Sequence, residues 1–152
     1  MKKILLIIPL LLLLIGCSSK HEDDKFAYIE CKNKIEKQEE FISQDSLDFN
    51  TFFNIERNGD TVNYSLTIDN PKINMHNIKA LLIHDYDTID TYPSIGIFDK
   101  TGELYQDSDK TITLNGTIIS SDDLSDVNFK LYLEYTTDNE KKEEIYYEVQ
   151  RG

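Results

Sequence analysis

Residues 49–152 are predicted to be mainly β, an antiparallel β-sandwich of about seven or eight short strands. The clearest observation is "TVNYSLTI" at 61–68, where Val62, Tyr64, Leu66 and Ile68 alternate with Thr61, Asn63, Ser65 and Thr67. That period of two belongs to a strand with one face buried and one face in water. Turn signals then recur at intervals of roughly 8–12 residues. No long stretch of helical periodicity separates the strands, which argues against parallel βαβ units.

The chain begins outside this domain. Met1-Lys2-Lys3 is a short basic start, and Ile4 to Ile15 is apolar apart from Pro9. A run of roughly a dozen apolar residues suits a signal-peptide core. A membrane-spanning helix needs about 20, and Ser18, Ser19 and Lys20 stop this run early. The run ends in Leu14-Ile15-Gly16-Cys17, which resembles the bacterial lipoprotein signal: a Leu-like residue, a small or aliphatic one, Gly or Ala, then Cys. Ile15 is bulkier than the Ala or Ser usual in that pattern. The resemblance implies cleavage between Gly16 and Cys17 and diacylation of Cys17, which becomes the first mature residue. Two acyl chains hold a protein on a bilayer where one would exchange. The expected location is therefore the cell membrane or outer membrane, lipid-anchored and facing the periplasm or the exterior. An ordinary secretory signal is the alternative.

Three regions follow: residues 1–16 as signal peptide, 17–48 as lipidated Cys, acidic tether and helix, and 49–152 as the β domain. "SSKHEDDK" at 18–25 is polar and aperiodic, and reads as a spacer. Its Glu22-Asp23-Asp24 is similar to the export tag of Bacteroidota lipoproteins, in which an early acidic run directs the protein to the outer face. Residues 26–42, "FAYIECKNKIEKQEEFI", hold no Gly or Pro and are rich in helix formers, with Asp23 and Asp24 placed to cap the start. Phe26, Ile29 and Ile35 fall near one face, a thin apolar stripe. Lys32 and Glu36 add an i,i+4 pair.

In the β domain, "FFNIE" leads to Asn58-Gly59, a hairpin signal because such a turn needs positive φ. "NIKALLIHDY" reads as a more deeply buried strand. "SIGIFD" and "ELYQDS" flank "DKTG", where Gly102 is expected in a tight turn. "KTITLNGTII" alternates Ile112, Leu114, Gly116 and Ile118. "NFKLYLEYT" aligns Phe129, Leu131, Leu133 and Tyr135, and "EEIYYEV" aligns Ile145, Tyr147 and Val149. The polar "TDNEKKEE" between these two makes them a terminal hairpin. "DDLSDVNFKLYLEY" resembles the corner before strand F of immunoglobulin-like and fibronectin-like domains, with Phe129 in place of the aromatic that enters that strand. The architecture this implies is an immunoglobulin-like sandwich, here without Trp.

Composition narrows the function classes. The 152 residues carry 28 acidic and 16 basic side chains, a formal net of −12. Removal of Lys2 and Lys3 with the signal leaves 14 − 28 = −14. Such a surface repels nucleic acid, which is not expected as a partner. Nine Tyr and seven Phe argue against disorder over the whole chain. With Cys17 acylated, Cys31 has no intramolecular disulfide partner; it reads as a small apolar residue or as a site of intermolecular pairing.

Enzyme motifs such as GxSxG, HExxH, CxxC, the Walker loop and GxGxxG are lacking, so the chain is expected not to be an enzyme and to need no cofactor. The three His are His21, His76 and His84. His84 adjoins "DYDTID", whose Asp85, Asp87 and Asp90 are the weak candidates for a Ca²⁺ site, since hard cations take several oxygen ligands. Counted from Asp85, the fifth and sixth places hold Ile89 and Asp90, where an EF-hand needs an oxygen ligand and Gly. A solvated strand end is the competing reading. "NYS" at 63 and "NGT" at 115 match the N-glycosylation triplet. The functional expectation is a non-catalytic binding or accessory module of the cell envelope, held to the membrane by its acyl chains and engaging an unknown protein or envelope component. The alternatives are an inhibitor or immunity-type lipoprotein that blocks a partner, and an envelope hydrolase. The order of "GIFDKTGELY" and "TITLNGTI" is similar to that in a small family of bacterial β-sandwich proteinase inhibitors, though no motif is shared.

Overall fold

A computed structural model describes residues 20–151 apart from Ile89. The signal segment with Gly16 and Cys17 lies outside the described residues. One helix, α1 (Lys20–Glu36), precedes eight strands: β1 (Asn50–Asn58), β2 (Thr61–Asp69), β3 (Met75–His84), β4 (Ser94–Ile95), β5 (Gly102–Leu104), β6 (Ile112–Ile119), β7 (Phe129–Thr136) and β8 (Lys142–Glu148). They form two antiparallel sheets. One has three strands in the order β1-β2-β6; the other runs β4-β3-β7-β8, with β5 also pairing to β3.

The alternation in the sequence sets which side chains meet. Val62, Tyr64, Leu66 and Ile68 of β2, with Ile112, Leu114 and Ile118 of β6, face Ile78, Ala80 and Leu82 of β3 and Phe129, Leu131, Leu133 and Tyr135 of β7 in a single core. The two sheets thus share one apolar interior, a sandwich-like arrangement. Each Leu, Ile or Phe buried there contributes about 1.5–3 kcal/mol relative to exposure.

β3 and β7 are buried on both faces. Leu81, Ile83 and Tyr132 point away from the main core into a second cluster with Ile97 and with Cys31 and Ile35 of α1. This is why "NIKALLIHDY" reads as a continuous apolar run rather than an alternating one. Lys34 pairs with Glu144 of β8 at 3.0 Å and fastens the helix to that sheet. Tyr28 packs on Phe98 and accepts a 2.9 Å hydrogen bond from the Tyr92 backbone N–H.

The helix departs from its expected limits at both ends. It starts at Lys20, so most of the expected spacer is helical, and Glu22 and Asp23 occupy its first turn where a helix dipole favours acids. It ends at Glu36 because Ile42 is drawn into a parallel bridge with Tyr147, its N–H donating to the Tyr146 carbonyl at 3.0 Å. Tertiary pairing overrides helix propensity there. The buried face differs as well. Ala27, Tyr28, Cys31 and Ile35 meet the sheet, whereas Phe26 and Ile29 are exposed at 71% and 45%. The small Ala27 and Cys31 allow a close approach that the expected stripe through Phe26 would block.

Asn58-Gly59 makes the β1–β2 turn, with Gly59 at φ +62°. The turn expected at Gly102 falls instead at Gly96 (φ +73°), whose N–H donates to Asp99 Oδ1 at 2.6 Å. Gly102 opens β5. The two arginines both serve the β6–β7 connection. Arg57 donates to the carbonyls of Ser120 and Asp122, and Arg151 to those of Leu124, Ser125 and Val127.

Candidate functional site

The residues singled out in "HDYDTIDTY" are not gathered at one point. Both oxygens of Asp85 are engaged by Asn128, Oδ1 accepting from its backbone N–H at 2.8 Å and Oδ2 from its side-chain amide at 2.9 Å. Asp90 accepts from Thr88 Oγ1 at 3.3 Å. Asp87 lines a shallow cleft beside Ile118 and Ile119. Among the described residues, no group of three or more His, Cys, Asp or Glu side chains is placed to hold a metal ion. Asp85 acts as a strut that ties the end of β3 to the start of β7.

His84 turns the other way, into the core. It is 4% exposed, and its ring packs edge-on against Tyr64, Tyr92 and Phe129 at 4.9–5.5 Å between centroids. Its buried Nδ1 has no hydrogen-bond partner of good geometry among the described residues. Burial pulls its pKa below the usual histidine value, opposed by the Tyr86 backbone and the Asp85 charge.

His76 is the histidine that forms a polar cluster, and nothing in the sequence pattern marks it. Its Nε2 lies 2.7 Å from Asp138 Oδ1, while Asn74 Nδ2 donates to Asp138 Oδ2 at 2.9 Å. Asn74 Oδ1 in turn accepts from the Gln106 backbone N–H at 3.0 Å. The His76 and Asn74 hydrogen bonds hold the Asp138 carboxyl below the usual carboxylate range. Among the described residues no serine, threonine or cysteine side chain hydrogen-bonds this imidazole, whose partner is Asp138. The chain Gln106–Asn74–Asp138–His76 joins the β7–β8 turn to the segments flanking β3 and β5.

A further exposed constellation is the outer face of the three-stranded sheet. Helix α1 covers the outer face of the other sheet, and no element among the described residues covers this one. Register places its outward side chains in rows across the strands: Phe52–Thr67–Thr113, then Asn54–Ser65–Asn115, then Glu56–Asn63–Thr117, then Asn58–Thr61–Ile119. A further outward pair, Asn50–Asp69, ends β1 and β2, so in a chain that is 29% charged the charged outward residues of these strands are Glu56 and Asp69. Phe52 and Ile119, 67% and 66% exposed, stand at opposite corners.

The two Asn-X-Ser/Thr triplets meet at the centre of this face. Asn63 pairs with Thr117, Tyr64 with Gly116 and Ser65 with Asn115, so the triplets run antiparallel residue for residue. Thr117 Oγ1 donates to Asn63 Oδ1 at 3.1 Å, and the Thr67 and Thr113 hydroxyls are 3.1 Å apart. Asn54 Nδ2 donates to Glu56 Oε1 at 3.1 Å. A cleft of about 310 Å³ opens over this centre, lined by Asn54, Glu56, Asn63, Ser65, Asn115 and Thr117 among others. The alternation of "TVNYSLTI" identifies the β2 row from sequence. Its β1 and β6 neighbours depend on long-range register, which the sequence does not display.

No family model matches the chain, and no curated protein matches it. Among solved structures it is similar to that of Spo0M, a sporulation control protein from Bacillus subtilis, with a TM-score of 0.29 and 13% identity. The match covers 67% of this chain and 48% of that one, so this chain spans about half the length of the protein it matches. No helix among the described residues is long and apolar enough to cross a membrane.

Proposed function

We propose that this chain is a lipid-anchored binding module of the bacterial cell envelope that acts by docking rather than turnover. The observation that carries the reading is the asymmetry of the two sheets. One outer face is sealed by α1; the other, on the far side of the molecule, is left open with a polar cleft at its centre. Helix α1, the described element nearest to Cys17 in sequence, lies on the sealed side. Leu14-Ile15-Gly16-Cys17 supports lipidation, and α1 begins at Lys20, three residues past Cys17. Three residues of chain reach about 10 Å at most, so the start of the helix is held close to the bilayer.

The finer fold reading, an immunoglobulin-like sandwich, is supported by strand order. β1, β2 and β6 correspond to strands A, B and E, and β3, β7 and β8 to C, F and G, with β4 as an added strand beside C. Domains of this architecture carry partners on loops, edges or open faces, and their function follows from the site rather than the fold.

Two experiments test the reading. Metabolic labelling with a clickable fatty acid should mark the full chain and fail in the Cys17→Ala variant; label retained in that variant would overturn the anchor. A photo-crosslinking amino acid at position 63 should capture a component of the envelope, whereas the same group at 142, on the helix-covered sheet, should not. Equal yields at the two positions would remove the open face as the docking surface.

A further inference from the structure

We propose that the open face of the β1-β2-β6 sheet binds an uncharged glycan chain. The inference rests on the binding-module reading of that face and names the chemistry of its ligand. Three features of the surface point to it.

The first is the nature of the polar groups. Asn54, Asn63, Ser65, Asn115 and Thr117 surround the cleft with neutral amides and hydroxyls that both donate and accept, matching sugar hydroxyls, which do the same, and the one carboxylate among them, Glu56, accepts from such hydroxyls. Hydrogen bonds within the surface hold some of these groups in place, as between Thr117 and Asn63 and between Asn54 and Glu56. A surface ordered before binding loses less entropy when a ligand arrives.

The second is what the face lacks. It has no Lys or Arg, and Arg57 on β1 is committed to the Ser120 and Asp122 carbonyls. An anionic glycan, a phosphate or a nucleic acid would find no counter-charge and would be repelled by a chain of net −12. Protein interfaces enrich aromatic residues, Met and Arg at their centre and deplete Ser. Here the centre is Asn, Ser and Thr with the single acid Glu56, and the apolar Phe52 and Ile119 stand away from it on the two outer strands.

The third is spacing. Outward side chains along one strand recur at about 6.7 Å, so the path from Phe52 to the row of Asn63 is roughly 13 Å. That length accommodates an oligosaccharide segment with the Phe52 ring free to stack on the apolar face of a terminal sugar. The cleft of about 310 Å³ lies at the small end of the range for ligand sites. It suits a shallow, chain-binding groove in place of an enclosing pocket.

The full chain in detergent micelles, titrated separately with cellohexaose, maltohexaose and N-acetylchitohexaose by calorimetry, tests the proposal, with a heparin hexasaccharide as the anionic comparison. At least one neutral hexasaccharide should bind with a Kd of about 1 mM or tighter. Asn63→Ala with Asn115→Ala should weaken it at least tenfold, and Phe52→Ala should weaken it as well. Lys142→Ala on the opposite sheet should leave it unchanged. Asn115→Asp keeps the side-chain shape and serves as the second variant if the double alanine change disturbs the fold. Failure of all three neutral chains, preference for heparin, or binding indifferent to both the double variant and Asn115→Asp would overturn the proposal. If all three glycans fail while the crosslinker at 63 captures a protein, the glycan assignment falls and the docking face stands. If neither is seen, both fall together.

Discussion

The Tyr64 ring lies across Gly116 on the facing strand, so that a Cβ at position 116 would stand 2.6 Å from Tyr64 Cε2 and closer still to Cζ and the hydroxyl. Tyr64 cannot swing clear, because Phe129 and His84 press on its ring at 4.9 and 5.5 Å between centroids. Gly116 is therefore a packing requirement; its φ is not positive. Gly116→Ala should destabilise the protein by about 1–3 kcal/mol, the usual range for overpacking. Denaturant midpoints measure it. Tyr64→Leu in the Gly116→Ala background should cost less than the sum of the single changes, since the two share one space. Strict additivity would show that the contact does not set the cost.

How far this arrangement is legible from sequence depends on the range of the interactions. Alternation is local, and it marks β2, β6, β7 and β8 with their inward residues Val62, Leu114, Leu131 and Tyr147. The Asn58-Gly59 hairpin is equally local. Helix limits are not, because Ile42 leaves the helical pattern only when β8 is there to pair with it. The buried face of α1 follows the shape of the sheet it meets, and Ala27 and Cys31 give no strong apolar signal. The open face is half legible: Thr61, Asn63, Ser65 and Thr67 are readable as outward, but their meeting with Thr113, Asn115 and Thr117 requires the register. His76 and Asp138 are far apart in sequence and meet only in the fold.

His84 gives stability a pH dependence of known sign. Its folded-state pKa lies below the usual value of 6.5 because burial disfavours the charged ring. As pH falls through about 6.5, the unfolded chain takes up a proton that the folded one refuses, so stability present above that pH is lost below it. Each unit of depression is worth about 1.4 kcal/mol. Unfolding free energies at pH 7.5 and 5.5 should fall with pH in the native protein. They should differ less in His84→Phe, whose ring keeps the contacts with Tyr92 and Phe129. Asp138, whose carboxyl the His76 and Asn74 hydrogen bonds hold below the usual carboxylate range, acts only at lower pH. An unchanged slope in His84→Phe would remove His84 as the cause.

Asp85 should behave as a strut and not as a cation ligand. Its two oxygens already accept from the Asn128 backbone and side chain. Asp85→Ala should cost about 1–2 kcal/mol and speed amide exchange around Asn128. The melting temperature of the native protein should be the same in millimolar Ca²⁺ and in chelator. A rise of several degrees with Ca²⁺ that disappears in Asp85→Ala would restore the cation site.

The seal between α1 and the sheet can be read from Cys31. Its thiol is buried beside Ile35, Leu81 and Tyr132, and burial pushes its pKa up, which lowers the thiolate fraction that reacts. Ile35 is fully buried in the same cluster, so Ile35→Ala should cost about 2–4 kcal/mol of packing. That cost falls on the docking of the helix, since the main core between the sheets does not include Ile35. Cys31 should then react with a disulfide reagent at least tenfold faster in Ile35→Ala than in the native protein, with strand circular dichroism preserved. A native thiol as reactive as a free one would show that the helix does not stay on the sheet. Faster reaction together with loss of the strand signal would mean that the two layers unfold as one. Only exposure of Cys31 with the strands intact makes α1 a separable cover, and leaves the β1-β2-β6 face as the one open by design of the fold.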